Sequence, residues 1–277
     1  MQPVKQAIIF LGFSALLLLS VLYPFLPGEY DRLAMPLSAT VQATGAIGLL
    51  LTTTGIIWLI FPKRQRLFLK IIRFVGSLSF AILGFFAFLM GGKIWGIGIL
   101  ALWLPIFWRI RNLLNKTSFD HHNKLRYLPF YFIFLPVFII LFQIGFAKSI
   151  TDWSRDRTIA NADAYIRDIE NFKSRNGYYP KTLQAMYKDY YPQTVGVEKY
   201  HYLPFGDSYN LSFEQPRFLF DAIGTREWVV YNPKNEHRVY SHTSWFLLLS
   251  PEESARSQGW YTSGETGHAH WKYFLFD

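Results

Sequence analysis

Long unbroken apolar runs fill the first 150 positions of this 277-residue chain, and short periodic patterns replace them afterwards. Ala7 to Leu26 is an uncharged run of 20 residues, enough for a helix to cross a hydrocarbon core of about 30 Å, and it reads as a retained first span. Ala39 to Phe61 predicts a second, closed by Pro62, with Trp58 as an interfacial ring. Phe74 to Met90 and Ile94 to Trp108 predict a third and fourth, both short, joined by a tight turn at Gly91-Gly92-Lys93. Tyr127 to Ala147 predicts a fifth, interrupted by Pro129 and Pro136, which membrane helices tolerate where neighbours satisfy the freed carbonyls.

Beyond Lys148 the period changes. Ile159, Ala162, Ile166, Ile169 and Phe172 recur at steps of three and four, so one stripe of a helix is apolar, while Asp163, Arg167, Asp168, Glu170 and Lys173 turn elsewhere. Ser149 to Asp152 supplies candidate caps, and the helix is expected to follow the fifth span almost without a break. Asn176-Gly177 stops it, and Leu183 with Met186 suggests a short second helix opened by Pro180. Tyr200 to Leu203, Tyr209 to Phe213, Glu227 to Tyr231, Arg238 to Ser241, Trp245 to Leu249 and Trp271 to Phe276 read as strands. A polar loop is expected from Ser250 to His270. The economical fold is an amphipathic helix packed on a small antiparallel sheet, giving an α+β domain over 151–277 behind a five-helix membrane region over 1–150.

The pattern Ile-x-x-Ile-Glu-x-Phe-Lys-x-x-Asn-Gly-x-Tyr-Pro-x-x-Leu-x-x-Met, read within Ala162 to Met186, resembles the soluble half of the type IV pilin and type II secretion pseudopilin family. That resemblance implies a pilin-like fold in which a membrane helix continues into an amphipathic helix lying on an antiparallel sheet. It does not imply assembly into a filament, because no prepilin leader precedes residue 158.

Charge sets the orientation. Residues 1–150 hold 14 Lys/Arg against three acids, net +11, whereas residues 151–277 hold 14 against 16, net −2. The basic residues of the first half sit in short clusters between apolar runs, Lys63 to Arg73 and Arg109 to Arg126, with Lys5 before the first run. The positive-inside rule puts these in the cytoplasm. The N-terminus is then cytoplasmic and the domain after Lys148 periplasmic or extracellular, in a multi-pass protein of a bacterial plasma (inner) membrane. This distribution does not suit nucleic acid, which needs a continuous basic face.

Candidate chemistry is sparse. The absence of cysteine excludes disulfides, thiolate metal sites and Cys nucleophiles. His268-x-His270, with both rings on one strand face and His237 and His242 nearby, is the best metal candidate, although no diagnostic spacing supports it. No cofactor fingerprint appears. Small residues such as Gly45, Gly48, Gly84, and Gly92 with Gly96, read as close helix packing. Residues 151–277 hold 26 aromatics, more than a small core requires, and Tyr178, Tyr179, Tyr190 and Tyr191 are expected nearest the surface as partner-binding rings. The expectation is a non-enzymatic membrane protein, solvated by lipid at its front, that displays a pilin-like domain to a protein partner or envelope polymer. The alternatives are a metal-assisted hydrolase using the histidines, marked by convergence of three rings, and a transporter or secretion-system component, marked by a polar cavity through the bundle.

Overall fold

The computed structural model describes residues 2–61, 65–116, 127–186, 188–221, 225–237, 239–240, 248–249 and 261–276. The chain divides into two compact units, Met1–Tyr23 with Arg32–Ala147, and Pro24–Asp31 with Lys148–Asp277. The second unit therefore includes a segment lying between the first two helices of the sequence.

The first unit contains α1 (Gln2–Leu22), α2 (Ala34–Ile60), α3 (Gln65–Phe86), α4 (Lys93–Lys116) and the first part of α5 (Leu128–Asn176). Helices stand where apolar runs were expected, but five spans do not. Among the described residues two helices are long and apolar enough to cross a membrane, Val4–Phe25 and Pro129–Asn176. A third joins them if the halves of α2, Ala34–Leu49 and Leu51–Ile60, bent by 49°, form one span. The remaining apolar helices, Phe74–Met90 and Lys93–Leu102, are shorter. Arg66, Lys70 and Arg73 occupy the first turns of α3, and Lys93, Arg109 and Arg111 flank the apolar middle of α4.

Glycines set the close approaches in this unit. A Cβ added at Gly45 would come within 2.9 Å of Ile139, and one at Gly48 within 2.7 Å of Pro136. Gly55 similarly meets Ile133 at 2.9 Å, so α2 and α5 run antiparallel in contact over three turns. Gly84 packs on Leu100 and Gly96 on Phe88. Gly92 makes the α3–α4 reversal expected at Gly91-Gly92-Lys93, at φ +102° with open space around it, so of the GxxxG pair Gly96 alone packs closely. The surface of this unit carries exposed Ile8, Leu11, Leu16, Ile94, Leu102, Leu141 and Ile144. In the second unit the large exposed apolar or aromatic side chains among the described residues are Tyr30, Trp153, Tyr178, Tyr191 and Phe220. That contrast matches lipid as the solvent of one unit and water as the solvent of the other.

The second unit is built on the rest of α5 and a five-stranded antiparallel sheet. Its strands are β1 (His201–Phe205), β2 (Ser208–Gln215), β3 (Arg226–Tyr231), β6 (Tyr261–Glu265) and β7 (Trp271–Phe276), in the order β1-β2-β3-β7-β6. A separate two-stranded piece pairs β4 (Val239–Tyr240) with β5 (Leu248–Leu249). Gly206-Asp207 closes the β1–β2 hairpin, Gly206 at φ +55° supplying the left-handed position that such a two-residue turn requires. Alternation along the strands sends Tyr209, Leu211 and Phe213 of β2, Val229 and Tyr231 of β3, and Trp271 of β7 to one core. The expected stripe of α5 supplies the other side through Ile159, Ala162 and Ile169, joined by Tyr165, with Ile166 packed at the edge.

Two local expectations need correction. Ser149 to Asp152 caps nothing, because α5 passes through it unbroken, and Asp152 pairs with Lys148 and Arg155 along the helix. The expected polar loop 250–270 contains β6, whose Thr-Ser-Gly centre carries too little apolar alternation to announce a strand; pairing with β7 recruits it.

Candidate functional site

Four tyrosines were the candidate contact surface, and the fold separates them. Tyr178 follows the end of α5 at 60% exposure, its ring edge-on to Phe172, and Tyr191 is 69% exposed. Tyr179 belongs to the core: its ring meets Tyr209 edge-on, its hydroxyl donates to Glu170 at 3.2 Å, and the Lys173 ammonium lies 4.1 Å over its face. Burial and the neighbouring Glu170 carboxylate push its phenol up to about 12. Tyr190 stacks on Tyr165 with centroids 3.7 Å apart and donates to Asp168, which also takes Lys188. Two of the four therefore hold the α5–sheet core together, and Tyr178 and Tyr191 face solvent. The carbonyl of Pro192, next to Tyr191, accepts from Asn161, whereas Tyr178 lies at Phe172. Eleven helical residues separate those anchor points, about 16 Å along the axis. Arg175 and Lys181, both exposed, flank Tyr178 in the chain.

The histidines do not share a strand face. His268 and His270 lie in the turn before β7, with His270 at φ +68°. His268 Nε2 is 3.0 Å from Asp156, and His270 Nδ1 is 3.1 Å from the side-chain oxygen of Asn235. His237 is buried, with its ring nitrogens at 3.1 Å from the His270 carbonyl and 3.3 Å from that of Asn235. Burial lowers its pKa against the pull of those carbonyls. His242 lies outside the described residues. Among the described residues no group of three or more His, Asp or Glu gathers as a metal would need. Asn232 holds the turn after β3: fully buried, it donates its side-chain amide to the Tyr209 carbonyl of β2 at 3.0 Å, accepts from the amides of Lys234 and Glu236 at 2.9 Å, and donates its main-chain N–H to the His270 carbonyl, in the turn before β7, at 3.0 Å.

Three features escaped the sequence. The first is a buried ion chain at one end of the helix–sheet core. Glu227, 1% exposed, occupies the helix-facing side of β3, as Val229 and Tyr231 do. Arg155, one turn before Ile159 on α5, meets it at 2.7 Å, and Arg217 meets its other oxygen at 3.1 Å. Asp152 and Asp221 complete the chain, and Arg155 also lies 4.7 Å over the Tyr273 ring. Burial pushes the Glu227 carboxyl up, while Arg155 and Arg217 oppose it. Every charged group in the chain has a partner, which suits a register lock better than an acid or base waiting for substrate.

The second is the segment Pro24–Asp31. Gly28 N–H donates to Gln193 O at 3.1 Å, Val195 N–H to Leu26 O at 3.0 Å, Asp31 N–H to Val195 O at 2.9 Å and Gly196 N–H to Pro24 O at 2.8 Å. Phe25, fully buried, stacks on Phe218 with centroids 4.6 Å apart. The third is a cavity of about 520 Å³ within the helical unit, lined from α1, α2, α3 and α5. Thr40, Thr44, Ser79 and Tyr131 provide its hydroxyls, and no Asp, Glu, Lys, Arg or His lines it, so it is not the polar path a transporter of ions or polar solutes needs. Comparison with protein-family models, with curated proteins and with solved structures finds no match for this chain.

Proposed function

We propose that this chain is a non-enzymatic integral membrane protein that holds a pilin-like domain outside the cytoplasm, where exposed aromatic rings bind a protein partner or an envelope polymer. The observation that carries the reading is the double attachment of the domain. It is joined to the membrane helices through α5, which runs unbroken from an apolar span into the domain core, and through Pro24–Asp31, main-chain bonded to residues 193–196. A helix leaving the bilayer to lay its apolar stripe on an antiparallel sheet is also what the pilin resemblance implies.

Topology follows from the same attachment. Pro24–Asp31 and Lys148–Asp277 belong to one unit and so share one side of the bilayer, and an even number of crossings must separate them. α2 and α5 supply two. The shorter apolar parts of α3 and α4 then form a hairpin that enters and leaves on the same side. With α1, this makes three crossings, and the basic clusters 63–73 and 109–126 fall with the N-terminus on the cytoplasmic side. The domain is periplasmic in the bacterial inner membrane on this reading. Tyr178, between Arg175 and Lys181, suits a partner with negative charge or sugar faces.

Photo-crosslinking residues placed singly at 178 and 191 in the full chain, in its native membrane, test the binding role, with exposed Glu236 as the control position. A discrete adduct at 178 or 191 that is missing at 236 is the expected result. Identical patterns at all three positions would refute the assignment of these rings.

A further inference from the structure

From the cavity between α1, α2, α3 and α5 and an unmatched amide beside it, we infer a binding site for the ester-linked acyl chain of a membrane lipid. The inference requires only that these helices lie in lipid, and is independent of what the outer domain binds. At about 520 Å³ the cavity falls inside the range of small-molecule pockets, about 300–1,000 Å³. Leu17 of α1, Val41 of α2, Val75 of α3 and Leu135 of α5 line it, so hydrocarbon is the chemistry that fills it. Gly76 of α3 keeps one wall open, since a Cβ there would meet nothing within 4 Å.

Polarity appears at one place. Gln143 is 5% exposed, and neither its amide nitrogen nor its amide oxygen has a hydrogen-bond partner. It stands four residues after Ile139 and seven after Pro136, on the same face of α5 and one turn beyond the last α5 residue that lines the cavity. The Thr44 hydroxyl in the cavity wall is likewise buried and without a partner. By contrast Gln42, on the neighbouring helix, donates to Ser38, which donates to the Val21 carbonyl. An amide unpaired inside an apolar bundle is unfavourable, and a ligand acceptor would satisfy its NH2 group. An acyl chain lying in the cavity brings such an acceptor, the ester carbonyl, at the end of its hydrocarbon. The absence of cationic lining leaves the phosphate and headgroup unread, so selectivity rests on the chain and its linkage.

The test uses full-length protein delipidated in non-ionic detergent and titrated with dioleoyl phosphatidylcholine or its diether analogue, bound lipid being counted by native mass spectrometry. One diester lipid should bind saturably and several-fold more tightly than the diether, which has the same chains and no carbonyl. Gly76→Trp should abolish that binding, while Gly98→Trp, at an open position outside the cavity, should leave it intact. Gln143→Leu should retain chain binding and lose the diester preference. Equal, non-saturating uptake by all variants would overturn the site, and a diester preference that survives Gln143→Leu would overturn the role of the amide. Should Gly76→Trp fail to fold, the Gln143→Leu comparison decides alone.

Discussion

If Pro24–Asp31 is part of the sheet domain, truncating Phe25 must unfold residues distant in sequence. Phe25 is fully buried against Phe218, and the backbone around it makes four main-chain bonds to residues 193–196. Removing a buried phenylalanine ring costs about 3–5 kcal/mol through lost transfer energy and the cavity left behind. At about 1.4 kcal/mol per tenfold, the open population of the domain should rise by two orders of magnitude or more. Hydrogen–deuterium exchange of the central β2 amides, 208–215, in full-length protein in detergent reads this directly, because those amides report opening of the domain regardless of the membrane helices. Phe25→Ala should accelerate them by about a hundredfold or more, whereas Tyr191→Ala, at an exposed position, should shift them by less than about 0.5 kcal/mol. Gly196→Ala should act in the same direction as Phe25→Ala, since its Cβ would come within 2.7 Å of the Pro24 carbonyl oxygen. Exchange in Phe25→Ala matching that of Tyr191→Ala would show that the segment merely passes the domain, and the parity of crossings would lose its basis.

Glu227→Gln should destabilise the domain by about 3–5 kcal/mol, because two buried guanidinium groups lose their shared counter-charge, and Arg155→Met with Glu227→Leu should recover part of it. A urea midpoint unchanged by Glu227→Gln would remove the register-lock reading. Part of the pH dependence follows from His237, whose folded pKa, like that of His201, is held below its ordinary value by burial. The unfolded chain therefore takes up the proton first, so the stability this residue contributes is intact above about 6.5 and is lost as pH falls from there to the folded value. Urea midpoints should drop between pH 7.5 and 5, and His237→Asn should flatten that slope. A variant with the parental slope would assign the effect to another group.

Much of the layout was legible in the chain itself. Apolar runs located the five long helices of the described residues, because helix burial depends on local composition. The three-and-four spacing of Ile159, Ala162 and Ile169 identified the face of α5 that meets the sheet, and Gly177 its end, because both are properties of one helix. The expectation of five crossings was too high: among the described residues two helices, or three with the bent α2, are long and apolar enough to cross a membrane.

What only the tertiary structure decided involves partners far apart in sequence. Tyr179 and Tyr190 look like Tyr178 and Tyr191 by composition, but a core formed by α5 and β2 buries one pair member at each place and leaves the other in water. Residues 24–31 carry too little pattern to predict a strand-like pairing with 193–196, and β6 too little to predict its pairing with β7. Both are stabilised by hydrogen bonds that the backbone of any residue except proline can donate, and so leave no mark on side-chain identity. Nothing in the local sequence sets Arg155, Glu227 and Arg217 apart from surface charges. Their burial follows from packing a helix on a sheet at one register, a relation that local spacing does not encode.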